Sequence, residues 1–356
     1  MPEFAFVDKT LGYGLELGKV DFNEFADMKR LISQMSGAIF DIPYKTALKL
    51  DKMGVGDTGD VRVCIDPDPE KVLKLNEIGM NRISVCLSSG AGRKKSFLFT
   101  EVFAAAEKRK MNISLGDIDL FGYTEQEMDF FSKLVRRFEI TSLLIHDKSR
   151  RMDPIDTYQR LVQLRKLTNC KLEYGGRNIL GLAAGNALGA VKAGISGVAV
   201  SVGGIDHYPA FEEVVMGAAH LMRMPVYLPG NLSISCREVL SIMGFDISKT
   251  KPIIGANIFT HESGIHVDGI LKSSDLYEPF LPEEVGLERR FVIGKHSGKA
   301  AVLKKIQEYG IHVRHPQIKT LLERAKQLAM FQKSALLDEQ FLTLAREVEV
   351  HEGSTC

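Results

Sequence analysis

Three groups of residues in this sequence are of types that do chemistry. The stretch 257–280, NIFTHESGIHVDGILKSSDLYEPF, packs His261, Glu262, Ser263, His266 and Asp268 with two glycines into a dozen residues. It is too polar and too punctuated by glycine for a core helix or central strand, and a polar loop of this density usually carries function. The alternative is a surface Ω-loop whose side chains only satisfy their own backbone. A second group is Asp8, Asp41, Asp66 and Asp147, each at the end of a short apolar run. A ring of carboxylates holds a cation or shares a proton, but aspartates at such places also cap turns and helices. The third group is Lys148, Arg150, Arg151 and Arg177. Brought together, they would bind a phosphate or carboxylate; spread out, they are a solvated loop or partners for the aspartates.

The elements that must position these groups come from the apolar pattern. Between residues 4 and 202, eight short β-rich runs alternate with segments of helical period: 4–7, 38–42, 61–65, 82–87, 112–115, 142–146, 171–174 and 197–202. The segment 22–35 places Phe22, Phe25, Met28, Leu31, Ile32 and Met35 on one helical face, and 124–138 and 153–167 repeat the pattern. Thr124 with Glu127 reads as a capping box, and Asp153-Pro154 as a helix start. Eight β/α repeats predict an α/β fold of the (β/α)8 TIM-barrel type, with a doubly wound open sheet as the alternative. In a barrel the chemistry sits at the strand C-termini, here Asp8, Asp41, Asp66, Ser88, Gly116-Asp117, Asp147, Gly175 and Val202-Gly203. The expected division is a barrel over 1–226, a connector and lid subdomain over 227–290, and a C-terminal helical region over 291–356 with helical patterns at 296–309 and 316–345.

Bulk properties exclude several classes. With 356 residues and 45% hydrophobic content, the chain is long enough for one large domain and an appendage. The 46 basic and 45 acidic residues leave no global field for a polyanion, so no nucleic-acid partner is expected and any anion site is local. Cys64, Cys86, Cys170, Cys236 and Cys356 lack CxxC spacing and fit reduced thiols of a cytoplasmic protein. The N-terminal stretch has neither a basic region nor a long apolar core, and no run approaches the roughly 18 apolar residues of a membrane span, so no membrane partner is expected.

The lid stretch HESGIHVDG, followed by LKSSDLYEPF and ERRFVIGKHSGKAAV, resembles the homocitrate synthase and 2-isopropylmalate synthase family of DRE-TIM metallolyase type. That resemblance implies condensation of acetyl-CoA with a 2-oxo acid, a divalent metal polarising the keto group and an acid–base apparatus enolising the thioester. The family's first-strand motif, DTTLRDGEQ, reads here Asp8-Lys9-Thr10-Leu11-Gly12-Tyr13-Gly14-Leu15-Glu16, with Gly12 at the arginine position and Tyr13 at the metal carboxylate. Its seventh-strand motif, HxHNDLGLA, reads Gly175-Gly176-Arg177-Asn178-Ile179-Leu180-Gly181-Leu182-Ala183, with Gly175 and Arg177 at the two metal histidines. Ser114-Leu115-Gly116-Asp117 keeps the aspartate of the SAED-like element, and Gly203-Gly204-Ile205-Asp206-His207-Tyr208 stands where GERAGN is expected. Tyr13 is expected to plug the vacated space. No metal is expected in this chain, since a guanidinium repels a dication.

In the lid nearly every family position survives. The resemblance implies that it crosses to a partner subunit and that His266 and Tyr277 serve there as acid–base groups, supported by His261, Glu262, Ser263 and Asp268. The chain is similar in character to the ω-type subunit of the split homocitrate synthase of some nitrogen fixers. Its expected partner is a metal-competent homologous subunit, or a second copy, sharing acetyl-CoA and a 2-oxo acid. A divalent metal is expected only in the partner. The leucine-sensing domain of many isopropylmalate synthases is not expected. Two other readings stay open: a stand-alone metal-free lyase or aldolase using a lysine such as Lys148, and a non-enzymatic barrel that senses an anion.

Overall fold

The computed structural model describes residues 4–36, 38–86, 96–119, 125–147, 152–263, 269–270, 273 and 277–351. Two compact units divide between Ile247 and Ser248. In the first, β1 (Ala5–Asp8), β2 (Ile39–Pro43), β3 (Val61–Ile65), β4 (Arg82–Cys86), β5 (Asn112–Asp119), β6 (Ser142–His146), β7 (Lys171–Gly175) and β8 (Gly197–Val200) close into one barrel. Every neighbouring pair is parallel, including β1 with β8. The TIM barrel expected from the β/α alternation is the observed architecture.

The helices are α1 (Thr10–Glu16), α2 (Phe25–Ser36), α3 (Tyr44–Lys52), α4 (Pro69–Glu77), α5 (Ser96–Glu107), α6 (Glu125–Arg137), α7 (Pro154–Leu167), α8 (Ala183–Lys192), α9 (Phe211–His220) and α10 (Leu232–Ile242). The apolar positions at i, i+3 and i+4 on α2, Phe25, Met28, Ile32 and Met35, are the face it buries. Asp153 starts α7 as its sequence predicts: its carboxylate accepts the N–H groups of Ile155 at 2.7 Å and Asp156 at 2.8 Å, and Pro154 takes the first helical position. Thr124 lies outside the described residues. The connector helix α10 packs on α2, with Cys236 Sγ 3.7 Å from Met35 Sδ, so it belongs to the barrel unit, which extends beyond residue 226.

Strand β5 runs four residues past the expected end, through a register shift against β6 between Leu115 and Ile118. A bulge there leaves Asp117 at φ 62°. Bulges bend a strand and re-aim its side chains, and this one lies at the barrel mouth.

In the second unit, the two-residue strands β9 (Thr260–His261) and β10 (Arg290–Phe291) pair in parallel. Three helices follow: α11 (Lys299–Glu308), α12 (His315–Gln332) and α13 (Asp338–His351). Their core contains Val302, Leu321, Ala325, Phe341 and Ala345. The sequence pattern over 316–345 suggests one helix, but Lys333 takes φ 54° and caps α12 in the left-handed conformation. Gln340 then bonds back to Gln332 at 3.0 Å and fixes the turn between α12 and α13. Among the described residues, no helix is long and apolar enough to cross a membrane.

Candidate functional site

Barrel strands are covered by helices outside and filled by side chains inside, so both faces are buried. In β3, Val61, Val63 and Ile65 face the helices and Arg62 turns inward, 2% exposed. Its guanidinium takes Asp41 of β2 in a fork, Nε to Oδ1 at 2.6 Å and Nη2 to Oδ2 at 3.0 Å. It also reaches across the barrel to Glu173 of β7, Nη1 to Oε1 at 2.9 Å and Nη2 to Oε2 at 2.8 Å. Lys9 Nζ closes on the second oxygen of Asp41 from the end of β1. Two cations and two carboxylates therefore neutralise one another in the interior. Burial would raise the Asp41 carboxyl, but the Arg62 and Lys9 charges outweigh it and hold it at about 2. Burial works against the Lys9 ammonium too, and Asp41 overcomes it, so Lys9 is held well above its ordinary value.

Asp8 behaves differently. It has no guanidinium, and burial pushes its carboxyl up to about 6 against the lowering effect of Leu11, Thr10 and Lys9. Its oxygen accepts the Leu11 N–H at 2.9 Å and so starts α1. Asp147 accepts the Met152 N–H at 3.3 Å, and Asp66 pairs with Lys71. Of the four aspartates at strand ends, two cap backbone, one meets a surface lysine, and Asp41 alone enters the interior cluster. They do not form a ring.

At the C-terminal ends of the strands lies a cavity of about 440 Å³, lined by Lys9, Cys64, Cys86, Asp117, His146 and Arg177 among others. Tyr208 forms part of its wall, packed in one layer with Val7, Leu144 and Ala199. The Arg177 guanidinium lies 4.1 Å over the Tyr208 ring, and Lys9 Nζ lies 5.8 Å from the same ring. Asp206, at φ 50° in the turn after β8, holds Arg177 through its carboxylate at 3.0 Å and through its carbonyl oxygen. Tyr13 stands on α1, half-buried, and is not among the residues lining the cavity, so the aromatic at the mouth is Tyr208.

At Gly175 a Cβ would lie 2.6 Å from Cε1 and 2.8 Å from Nδ1 of His146, its register partner on β6. The space beside this motif position is thus filled by an imidazole from the neighbouring strand. Among the described residues, no group of three or more His, Cys, Asp or Glu is placed to hold a metal ion. Of the basic cluster, only Arg177 can be located; Lys148, Arg150 and Arg151 lie outside the described residues.

The lid residues fall in the second unit. His266 and Asp268 lie outside the described residues, and Ser263 is half-buried. Glu262 accepts the His296 N–H at 3.0 Å, and the Ser297 hydroxyl donates to the Glu262 carbonyl at 3.0 Å. A Cβ on Gly294 would collide with the Glu262 carboxylate, so HESG and GKHSG interlock as one node. His261 Nε2 stands 3.5 Å from Glu278, which Arg289 grips through Nε at 3.0 and 2.9 Å and Nη2 at 2.8 Å. Tyr277 is 41% exposed, with its ring against Gly269, where a Cβ would collide with it.

Lys9, Cys64, Cys86, His146, Arg62 and Tyr208 form the site and were not expected there. The signal was a polar residue at a middle position of several strand runs: Asp41 in IFDIP, Arg62 in VRVCI, Ser114 in NISLG, Glu173 in KLEYG.

Known proteins match both units. The family model described as homocitrate synthase post-HMGL domain-like matches residues 253–333. The 2-isopropylmalate synthase 2 of Caldanaerobacter subterraneus subsp. tengcongensis is 34% identical over 258 residues, 70% of this chain and 66% of that protein. Homocitrate synthase 1 of Nostoc sp. is 37% identical over 201 residues, 55% of this chain and 53% of its own length. The chain thus spans between half and two thirds of the length of these two relatives, and less than half of some others. An HMG-CoA lyase from Brucella melitensis shares the fold, with a TM-score of 0.53 and 13% identity over 68% of this chain and 98% of that one. With the barrel, the HESG and GKHSG node and these relatives together, the chain belongs to the homocitrate synthase and 2-isopropylmalate synthase family.

Proposed function

We propose that this chain is a homocitrate synthase-like protein of the acetyl-CoA and 2-oxo acid condensation type that lends lid residues to a metal-competent partner barrel, a paralogue or a second copy. The observation that carries the reading is the fixed positive charge at its own barrel mouth. Arg177, at a metal-histidine position of the family, is clamped by Asp206 over Tyr208, and the Lys9 ammonium shares the cavity. A dication placed here would meet the Arg177 guanidinium and the Lys9 ammonium beside Asp117 and Asp147, and the two metal-histidine positions offer it a glycine and a guanidinium instead of ligands. The residues present do not fit a divalent metal, and no step of this chain runs through one.

The lid supplies the other half of the reading. His266 and Tyr277 are the acid–base pair, an imidazole and a phenol that move a proton at the substrate carbon or oxygen in the partner's site. The Glu262, His296 and Ser297 node holds the described start of the lid motif against GKHSG. Schiff-base chemistry gains no support from the lysine that the cavity does contain, because Asp41 keeps Lys9 protonated.

The test is complementation. Mixed with a metal-competent homologue, the chain should raise CoA release from acetyl-CoA plus 2-oxoglutarate while adding none alone. His266→Ala or Tyr277→Phe should lower turnover of the mixture about 10²-fold without preventing assembly. Wild-type turnover from both variants would end the proposal, and so would metal analysis finding one ion per purified chain.

A further inference from the structure

Arg177 and Lys9 line the barrel-mouth cavity with donors that the protein itself does not use. Arg177 commits one nitrogen to the turn after β8: Nη1 donates to the Asp206 carboxylate at 3.0 Å and to the Asp206 carbonyl oxygen. Among the described residues, its Nε and Nη2 meet no acceptor. Those two nitrogens are the edge with which a guanidinium takes a carboxylate in a fork. Arg62 does this in the interior of the same barrel, gripping Asp41 through Nε and Nη2. Lys9 carries three donors on Nζ, and among the described residues its hydrogen bond goes to Asp41 alone.

Both cations are anchored from behind, Lys9 by Asp41 and Arg177 by Asp206. They lie 5.8 Å and 4.1 Å from the centre of the buried Tyr208 ring, so one small molecule reaches both. The anchor of Arg177 is itself built under strain. Asp206 at φ 50° and His207 at φ 59° are non-glycine residues in the left-handed region. The Ser201 hydroxyl holds the turn by donating to the Ile205 carbonyl at 2.7 Å, and the Asn178 N–H by donating to the His207 carbonyl at 2.6 Å. Strain of this kind persists only where the surroundings fix it, and it clusters at ligand sites. Here it pins one end of the guanidinium, so that the open edge loses little freedom when it takes a ligand.

We infer that the cavity is a binding site for a small monocarboxylate, taken in a fork by Nε and Nη2 of Arg177, with Lys9 Nζ donating to one of its oxygens. The inference goes beyond lid lending and does not rest on it. A volume of about 440 Å³ suits a small molecule. Asp117 and Asp147 stand in the same wall, with Asp147 turned to the Met152 N–H at 3.3 Å, and their charges oppose a second negative charge on the ligand. That selects a singly charged acid over phosphate or a polycarboxylate. Leu144, Cys64 and Cys86 supply the neutral wall for a short carbon chain.

The experiment uses the full chain alone, with sodium butyrate and sodium lactate as probes and sodium phosphate and sodium chloride at matched ionic strength as comparisons. Each monocarboxylate should raise the melting temperature saturably in the millimolar range, and phosphate should give no saturable shift. Arg177→Lys keeps the charge and loses the fork, and should weaken binding at least about tenfold; Arg177→Gln should abolish it. A readout without any substitution is modification by phenylglyoxal, an arginine reagent, followed by peptide mapping. Lactate should protect Arg177 at least about fivefold and leave Arg165, which caps the Ala193 and Gly194 carbonyls, unprotected. No saturable shift with either monocarboxylate, an equal shift with phosphate, wild-type binding by Arg177→Gln, or no protection of Arg177 overturns the inference. Acid binding is read on this chain alone and lid lending on the mixture, so the two readings fail separately.

Discussion

The barrel interior and the node around Glu262 are built from the same kinds of residue, yet they hold their carboxylates by different means. In the barrel, charge answers charge: Asp41 and Glu173 meet Arg62 and Lys9 in a dry interior. In the second unit, Glu262 meets a backbone N–H and the room that a glycine leaves. The first arrangement depends on ionisation and on every partner being present. The second depends on chain path, and a neutral isostere can largely reproduce it. Polar residues in the barrel therefore set an electrostatic state, while the family motif in the second unit sets a backbone shape.

The contrast is sharpest at Arg62. Arg62→Met removes the shared partner of two buried carboxylates and should cost about 3–5 kcal/mol in denaturant unfolding of the full chain, the scale of a broken buried ion pair. A loss below about 1 kcal/mol would mean that water reaches the cluster.

Next in size is the pH response. Asp8 binds its proton more tightly folded than unfolded, so its contribution is present at low pH and fades as pH rises through about 6. The fade should amount to about 3 kcal/mol at most between roughly pH 4 and 6, and Asp8→Asn should flatten it. Asp41 runs the other way, its contribution being lost as pH falls from its ordinary range toward about 2. Stability curves against pH for the wild type and Asp8→Asn check both signs.

Gly175→Ala should cost about 1–3 kcal/mol, because its Cβ must push the His146 ring aside. An unchanged melting temperature would show that the imidazole moves freely. Smallest is Glu262→Gln, which keeps an acceptor for the His296 N–H and should cost about 1 kcal/mol or less. A loss as large as that of Arg62→Met would erase the distinction between the two regions.

Much of the fold was legible because a β/α repeat writes its period into apolar residues. The runs at 61–65 and 142–146 coincide with β3 and β6. Harder to read was α1, where Gly12 and Gly14 lower helix propensity but are required by packing: a Cβ at Gly14 would lie 2.7 Å from Val20 and 2.9 Å from Met243. The helix break at Lys333 was hidden because lysine carries no turn signature. At the site, Arg177 and the motif positions were readable from the chain alone. The Arg62 cluster was not, since β3 and β7 lie far apart in sequence and meet only when the barrel closes. Nor could His146 be read as filling the space beside Gly175, because that relation depends on register.

The strut from Arg62 to Glu173 also bears on how the barrel forms. Strands β3 and β7 are four places apart in a ring of eight, so the strut is a diameter. A nascent barrel ending before β7 would hold Lys9, Asp41 and Arg62 with one positive charge in excess and without Glu173 to meet it. Such a piece has no dry interior to settle into until the later strands arrive. Closure should therefore be concerted and slow, governed by a contact spanning 111 residues. An amino-terminal fragment cut between β4 and β5 should stay uncollapsed rather than persist as an autonomous half.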